Sequence, residues 1–484
     1  MNFFRRLRFG ILALLAVVCG KAQNPVPQSP DEHKALTIYQ IMVASFIHDP
    51  AGAPGYTAMW GPDGHTKNGN LLGVVSALDH IKNLGANAIW LTPVFDSSKA
   101  QGGEKLQATG YFTNNFFAID PHFGTEEDFR LLVDEAHKRG LYVILDGVFG
   151  HHGGVEQPSP SGYTLDCTIT ESDRGKQGGT GNISYPGSLD YIKEVATFWM
   201  DKYGIDGWRL DQAYQATQGG HNYWTEIRGA VEKLAAERKQ RGEQWGTLAY
   251  MVGEDWGNAE TINKGVFSDA GLLSAFDFEG KELISGPMQD PAESGLDNGW
   301  EDVVKILSSP TARGYAHDNF IPNLFLTNHD GYRLADHFDP ADSLYYNQIK
   351  TRNAILAAYS GPITLYYGDE YADSTRGVKG AQKDNIARTS GHLEPNNPEE
   401  ADLCRYISRI MNMRRNNPAL WRGDASFDRF EKDGADVLVV TKTDMSTGNK
   451  VAVIFSTSNV VLDIAPGASD VHVEAYVPEF IKLQ

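Results

Sequence analysis

Cysteine is scarce in this chain, with only three among 484 residues. One of them, Cys19, lies in the N-terminal leader, and the other two, Cys167 and Cys404, are far apart in sequence. Their spacing is no evidence for or against a disulfide. No Cys or His spacing matches a zinc site, because the pair at 151–152 has no second pair to complete one. The cysteine pattern therefore indicates neither a disulfide scaffold nor a zinc protein.

Basic residues are also few. The chain has 43 Lys and Arg against 62 Asp and Glu, which gives a formal net charge of -19. A surface this acidic repels phosphate groups, so nucleic acids and anionic membranes are excluded as partners. The charge is compatible with a neutral ligand.

The N-terminal apolar run is too short to cross a membrane. Arg5, Arg6 and Arg8 precede an apolar run over residues 9–18, which is followed by small residues. A membrane-spanning helix needs about 20 apolar residues, whereas this pattern is typical of a secretory signal peptide. We therefore predict a signal peptide over residues 1–22 and export to the periplasm or the medium. A lipid anchor at Cys19 is a weaker alternative, because Val18 fits that signal poorly.

A glycine-rich phosphate turn is missing after the first predicted strand, which disfavours a doubly wound nucleotide-binding sheet. Apolar runs instead alternate with helical patterns along most of the chain. In one of these patterns Thr125 and Asp128 have the spacing of a capping box, which predicts the start of a helix. Eight strands are predicted, each followed by a helix, at 36–43, 87–93, 141–149, 207–211, 248–256, 274–279, 323–330 and 362–370. Eight such units predict an α/β fold, the TIM (β/α)8 barrel, whose active site lies at the C-terminal ends of the strands.

Two segments do not follow this alternation. Residues 152–189 are rich in Gly, Ser, Thr and Pro, which predicts a subdomain inserted after the third strand. Residues 424–484 contain short alternating strands, at 436–443, 450–457 and 470–477, which predict a small C-terminal antiparallel β domain. The catalytic barrel is then assigned to residues 31–151 and 190–415.

Acidic residues and histidines follow several of the predicted strands. They are Asp146 and His151 after the third, Asp211 with Arg209 on the fourth, Glu254 on the fifth, and His329 with Asp330 after the seventh. Three converging carboxylates match the needs of retaining glycoside hydrolysis, in which one attacks the sugar and another donates a proton. Arg209 is expected to lower the pKa of Asp211. The apolar surroundings of Glu254 favour it as the proton donor.

Four short motifs carry a resemblance to the alpha-amylase family of glycoside hydrolases, family 13. They occur in that family's order: "DGVFGH" at 146–151, "GWRLD" at 207–211, "GEDW" at 253–256 and "TNHD" at 327–330. The resemblance also covers "GYF" at 110–112 and "GPITLYYGDE" at 361–370. It therefore spans nearly the whole chain after the leader.

The resemblance implies a role for each matching residue. Asp211 is the implied nucleophile, Glu254 the general acid and base, and Asp330 the third carboxylate, which holds sugar hydroxyls. By the same resemblance Arg209 orients the nucleophile and Asp146 supports Arg209. The implied substrate-binding residues are Tyr111, which stacks on the sugar, and the histidines His151 and His329, which bond its hydroxyls.

The sequence departs from the family pattern at two places. Gly150 stands where the family usually has Asn, and Tyr214 and Gln215 stand where it often has Lys-His. By the resemblance, that Asn and the backbone of that His help to form the calcium site that many members have between the barrel and the inserted subdomain. We therefore expect no cofactor requirement, with calcium possible through Asp166, Glu171 and Asp173. The exchanged Lys-His pair also makes a preference for long chains uncertain.

These observations predict an exported retaining hydrolase of α-glucosidic bonds in starch-derived glucans or malto-oligosaccharides. A transglycosylase or glucoside isomerase is an alternative, because a sugar hydroxyl can replace water as the acceptor. A catalytically inactive glycan-binding protein is the alternative from another class, and the intact set of three carboxylates argues against it.

Overall fold

The computed structural model describes residues 26–483 except 64–67, 101, 156, 169–180, 381–382, 384 and 464–469. The predicted signal peptide and the anchor site at Cys19 lie outside these residues. Among the described helices, none is both long and apolar enough to cross a membrane. Cys167 and Cys404 are free thiols.

Eight parallel strands form the central sheet. They are β1 (Thr37–Ile41), β2 (Ala88–Leu91), β3 (Tyr142–Gly147), β4 (Gly207–Leu210), β5 (Tyr250–Gly253), β6 (Ser274–Ala275), β7 (Leu324–Phe325) and β8 (Ile363–Tyr366). Their order is β6-β5-β4-β3-β2-β1-β8-β7, and a parallel bridge between Phe276 and Asn323 joins the two ends. The sheet is therefore a closed TIM barrel, which confirms the predicted fold class.

A helix follows each strand. The eight are α1 (Leu71–Leu84), α2 (Glu126–Lys138), α3 (Leu189–Tyr203), α4 (Trp224–Gln240), α5 (Ala259–Lys264), α6 (Trp300–Leu307), α7 (Tyr345–Ala358) and α8 (Pro398–Asn416). Local chemistry sets their ends. The predicted Thr125–Asp128 capping box starts α2, and Gly85, at φ 106°, ends α1 in a conformation that glycine adopts without strain. Further short helices span Asp31–Lys34, Glu104–Gln107, Phe278–Ser285 and Pro418–Arg422.

Apolar side chains fill both faces of the barrel wall. One cluster lies inside the barrel and includes Ile38, Trp90, Ile144, Val252 and Phe325. A much larger cluster packs the outer face of the strands against the surrounding helices. Because both faces are buried, the strands are continuous apolar runs in the sequence, as expected for parallel strands. This packing holds the C-terminal strand ends, and the residues just after them, in fixed positions.

Smaller sheets lie outside the barrel. After β3, the strands His151–His152, Cys167–Thr168 and Gly181–Ile183 form a three-stranded antiparallel sheet. Two-stranded ladders join Phe95–Asp96 to Asn115–Ile119, and Thr217–Gln218 to His221–Asn222. At the C-terminal end, β9 (Asp424–Lys432), β10 (Ala435–Thr443), β11 (Lys450–Ser456) and β12 (Glu479–Leu483) form an antiparallel sheet, beside a ladder of Val460–Leu462 with Val471–Val473.

Some predicted strands are longer than the observed ones. The predicted strand 274–279 ends early because Asp277 caps a helix there, its side chain accepting a hydrogen bond from the Gly280 N–H at 2.9 Å. The alternating segment 470–477 forms only Val471–Val473, and the fourth strand of the C-terminal sheet is Glu479–Leu483 instead. In both cases local side-chain chemistry or pairing ended a strand that the apolar pattern alone would have continued.

Candidate active site

Four of the predicted site residues lie side by side at the C-terminal ends of β3, β4 and β5. Asp146 in β3 is the register partner of Arg209 in β4. Asp211 directly follows β4, and its N–H donates to the Gly147 carbonyl at 3.1 Å. Glu254 directly follows β5. The ladder between neighbouring strands thus fixes the spacing of these four side chains.

Arg209 is the centre of this group. Its guanidinium contacts Asp146 Oδ1 at 2.9 Å and Asp211 Oδ1 at 3.0 Å through Nη1, and Glu254 Oε1 at 2.7 Å through Nη2. The planar fork of Arg suits several carboxylate contacts at once. One buried cation therefore contacts three carboxylates. The sequence implied the contacts with Asp211 and Asp146, and the contact with Glu254 is additional.

Burial dominates the electrostatics of this group. It raises the pKa of Asp211 well above its usual value and that of Asp146 to about 6, while the charge of Arg209 opposes both shifts. The neighbouring carboxylates raise the pKa of Asp211 further. The expectation that Arg209 lowers the pKa of Asp211 thus describes one contribution, but burial and the like charges outweigh it.

The two oxygens of Asp211 have different surroundings. Oδ1 contacts Arg209, whereas no hydrogen-bond donor of the described residues reaches Oδ2. His151 Nδ1 lies 3.8 Å from Oδ2. Asp211 also lines the cavity described below. One oxygen is therefore held in place while the other is available to a reacting atom.

Glu254 is buried and held by three donors. Besides Arg209, the Trp256 indole N–H donates to Oε1 at 3.0 Å, and the Gln212 N–H donates to Oε2 at 3.0 Å. Gln212 has a φ of 42°, a left-handed conformation that is unfavourable for residues other than glycine. The turn after β4 thus adopts a strained backbone that presents a peptide N–H to Glu254.

Asp330 lies on the opposite side, after β7. Arg388 Nη2 contacts its Oδ1 at 2.7 Å, and His329 Nε2 lies 3.3 Å from its Oδ2. Arg388 also donates to the backbone carbonyls of His329 and Trp60, each at 3.1 Å. Arg388 therefore orients Asp330, as Arg209 orients Asp211 and Glu254.

Tyr111 connects the residues around Arg209 with those around Asp330. Its hydroxyl donates to Asp146 Oδ2 at 2.8 Å and lies 2.8 Å from His329 Nε2, and its ring stacks on the His329 ring at 5.3 Å. Asp146 also accepts from the Trp90 indole at 3.1 Å. Asp146 thus supports Arg209, while Tyr111 presents its ring to the cavity. Burial lowers the pKa of both His151 and His329, which keeps them neutral hydrogen-bonding groups.

A cavity of about 430 Å³ opens over these residues. Its lining includes six of the eight predicted site residues, namely Tyr111, His151, Asp211, Glu254, His329 and Asp330, whereas Asp146 and Arg209 lie beneath it. The sequence argument missed other lining residues: Trp60, Gln212, Trp256, Gln289, Asn385 and Arg388. Gln212 and Trp256 had a positional signal, because Gln212 directly follows Asp211 and Trp256 ends the motif "GEDW". The others are in loops without periodicity.

No metal cluster is evident in the described part of the chain, where no group of three or more His, Cys, Asp or Glu side chains could hold an ion. Of the three acidic residues predicted as alternative calcium ligands, Asp166 is described and exposed. Glu171 and Asp173 lie outside the described residues.

Comparison with known proteins identifies the family. The sequence model of the alpha-amylase family's catalytic domain matches residues 40–159 and 185–390 of this chain, which is more than half of it. The chain is 28% identical to a cyclomaltodextrinase of Geobacillus thermopakistaniensis, over 90% of this chain and 71% of that protein. It is also 28% identical to neopullulanase 2 of Thermoactinomyces vulgaris, over 83% and 67% of the two chains.

A solved structure is similar over a comparable length. The crystal structure of AmyP in complex with maltose has 33% sequence identity and a TM-score of 0.77, and it covers 93% of this chain and 97% of its own. Together with the barrel and its carboxylates, these matches show that the chain belongs to the alpha-amylase family. It is an alpha-amylase-family glycoside hydrolase, as the motifs predicted.

Proposed function

We propose that this protein hydrolyses α-glucosidic bonds of malto-oligosaccharides and related starch-derived glucans with retention of configuration. The observation that carries the proposal is the arrangement around Arg209, which contacts Asp211 through one nitrogen and Glu254 through the other. One guanidinium keeps the two carboxyl groups close together, and retaining enzymes need a separation of about 5 to 5.5 Å.

The proposed reaction has two steps. Asp211 Oδ2 attacks the anomeric carbon while Glu254 gives its proton to the leaving oxygen, which forms a covalent glycosyl-enzyme. Water then attacks the same carbon, Glu254 takes a proton from that water, and the bond to Asp211 breaks. The free Oδ2 supports the first role, because the bond of Oδ1 to Arg209 fixes the plane of the attacking carboxylate.

The other residues stabilise the sugar during both steps. Asp330, held by Arg388, and the neutral histidines His151 and His329 are placed to bond sugar hydroxyls. The ring of Tyr111 provides an apolar face against the sugar ring. The sugar ring flattens as the transition state forms. Contacts that strengthen at that point lower the activation barrier, whereas contacts that are equally strong in the ground state and the transition state do not.

The names of the relatives support the substrate class. They are a cyclomaltodextrinase and a neopullulanase, and the AmyP structure holds maltose. We therefore propose short maltose-based chains and cyclodextrins as substrates, which fits the exchange of the family's Lys-His pair for Tyr214 and Gln215.

An activity panel tests this function. Purified protein is incubated with soluble starch, cyclodextrins, pullulan and maltose, and proton NMR follows the first-formed anomer. We expect release of maltose-sized products in the α configuration. A β-anomer as the first product would refute the covalent intermediate. Longer or rearranged sugars from maltose would indicate the transglycosylase or isomerase, and binding without turnover would indicate a glycan-binding protein.

We further propose that the protein is exported. The support is the leader, in which three arginines precede a short apolar run. Mass spectrometry of the mature protein from the native host should show that residues 1–22 have been removed. An added lipid on Cys19 would show the anchored form instead, and an intact leader on the active enzyme would overturn export.

A further inference from the structure

Gln218 joins the loop after β4 to the segment inserted after β3. Its amide Nε2 donates to the Gln215 carbonyl at 2.7 Å and to the Ile183 carbonyl at 3.0 Å. Its Oε1 accepts from the Tyr185 N–H at 3.0 Å. These three backbone partners assign the amide orientation, because carbonyls need a donor and a peptide N–H needs an acceptor.

Gln215 fills the neighbouring space above Gly150. A Cβ atom added to Gly150 would lie 1.8 Å from Gln215 Oε1 and 2.5 Å from Gln215 Cβ, so no larger residue fits without moving Gln215. Gln215 Oε1 in turn lies 3.3 Å from His151 Nδ1. The two departures from the family pattern, at 150 and 215, are thus in direct contact and complementary in shape.

This arrangement does not fit the calcium ion that the family resemblance implies. Calcium takes six to eight oxygen ligands. The position of the family's Asn ligand is closed by Gln215, and the Gln215 carbonyl already accepts from the Gln218 amide. An amide N–H₂ group cannot serve as a ligand to a cation, since it presents hydrogens rather than a lone pair.

We propose that the Gln218 amide does in this protein what calcium does in many family members. It ties the inserted segment to the barrel through Ile183, Tyr185 and Gln215, and the chain consequently needs no calcium for stability. Gln215 extends this link to the active site, because its side chain contacts His151, which lies next to Asp211. Gln218 is then a positioning residue, which acts on the site through Gln215 and His151.

The Gln218 amide is stabilising because it donates to the carbonyls of Ile183 and Gln215. A carbonyl without a donor in a partly buried place is destabilising, and two facing carbonyls need a positive group between them. The amide supplies two N–H donors without a net charge. A neutral donor needs no ion from solution, so its contribution does not depend on the concentration of calcium.

Melting temperatures test this proposal in the full-length mature protein. The variants are Gln218→Ala and Gln218→Glu, with Gln240→Ala and Gln240→Glu as matched controls at the exposed end of α4. Each protein is melted with excess EDTA and with millimolar calcium chloride. We expect the wild type and the Gln240 variants to melt at the same temperature in both buffers.

The two Gln218 variants should behave differently from each other. Gln218→Ala should melt several degrees lower than wild type in both buffers, because the carbonyls lose their donor and calcium has too few ligands. Gln218→Glu should be destabilised in EDTA, where a carboxylate faces two carbonyls, and should recover in calcium, which that oxygen cluster can bind. If Gln218→Ala does not fold while Gln240→Ala does, the proposal is equally supported.

Two results would overturn the proposal. One is a wild-type melting temperature that falls in EDTA and returns with calcium, and the other is a Gln218→Ala protein as stable as Gln240→Ala. The positioning role rests on the proposed hydrolase function and has its own readout. Well below the melting temperature, Gln218→Ala should raise KM several-fold with little change in kcat, unlike Gln240→Ala. A wild type without hydrolase activity would refute the function while leaving the melting test valid.

Discussion

The floor and the rim of the active-site cavity differ in what holds their side chains. The floor consists of Asp146, Arg209, Asp211 and Glu254, of which Arg209 is 1% exposed and Glu254 3% exposed. The rim consists of Tyr214, 49% exposed, and Trp256, 45% exposed. Floor side chains are held mainly by contacts with one another, with neighbouring backbone and with the Trp256 indole, whereas the rest of the rim surface faces solvent.

This difference separates rate from recognition. A change in the floor alters the charge and orientation of the groups that we propose act on the transition state, so it should reduce kcat. A change in the rim removes contacts to a substrate that is equally bound before and during the reaction, so it should raise KM. The following experiments run from the largest expected effect to the smallest. They test this separation and the stability of the loop that carries Arg388.

Removal of the proposed nucleophile should have the largest effect. Asp211→Ala is expected to reduce kcat roughly 10⁴-fold or more. It should leave the melting temperature unchanged or higher, because one of several buried like charges is removed. Steady-state kinetics and circular dichroism measure both quantities on the same sample. Folded Asp211→Ala with more than a tenth of wild-type turnover would end its assignment as nucleophile.

Changes at Asp330 and at Arg388, which contacts it, should have the next largest effect on kcat. Asp330→Asn should reduce kcat roughly 10²- to 10³-fold, because its contacts strengthen in the transition state. Arg388→Lys should reduce kcat less, since Lys keeps the charge but cannot make the three bonds that Arg388 makes through its three nitrogens. Equal kcat values for Arg388→Lys and wild type would show that charge alone positions Asp330.

A moderate effect on stability is expected in the loop that carries Arg388. His392 contacts Asp373 Oδ1 at 2.8 Å through Nε2 and the Glu394 carbonyl at 2.7 Å through Nδ1, so both nitrogens act as donors. The bond to Asp373 raises the pKa of His392 to about 9. Because the folded pKa exceeds the unfolded value, this stabilisation is complete below about pH 6.5 and is lost as pH rises through about 9.

His392→Gln tests this dependence. The variant should be less stable than wild type by about 1 kcal/mol below pH 6.5, and the difference should shrink as pH rises toward 9. Urea unfolding across pH 6 to 9.5 measures it, with His221→Gln as an exposed histidine control. A difference that stays constant over that range would mean that His392 is not charged in the folded protein.

The rim should give the smallest effect. Tyr214→Ala removes an exposed ring from the cavity lining and should raise KM roughly five-fold, as expected for about 1 kcal/mol of lost aromatic contact. Tyr214→Phe keeps the ring but loses the hydroxyl bond to Gln212, so it separates stacking from the hydrogen bond. A decrease in kcat at constant KM for Tyr214→Ala would break the distinction between floor and rim.

The sequence predicted the strands of the barrel better than the short helices and the loop residues around them. All eight strands were located because parallel strands buried on both faces leave long apolar runs, and α2 was delimited by its capping box. The helix Phe278–Ser285 was missed, because Asp277 interrupts an apolar run that otherwise continues as a strand. In the site, residues on strand ends were found and Arg388 was not, since loop residues carry no periodic signal.

The amino-acid sequence by itself determined the fold class, the family and the order in which the carboxylates follow the strands. These features rest on local patterns that one pass along the chain can detect. Only the tertiary structure decided that Arg209 contacts three carboxylates, that Arg388 holds Asp330, and that Gln215 fits against Gly150. Each of these contacts joins residues from separate strands or loops. Their geometry depends on how the closed barrel aligns those segments in space, which no local pattern records.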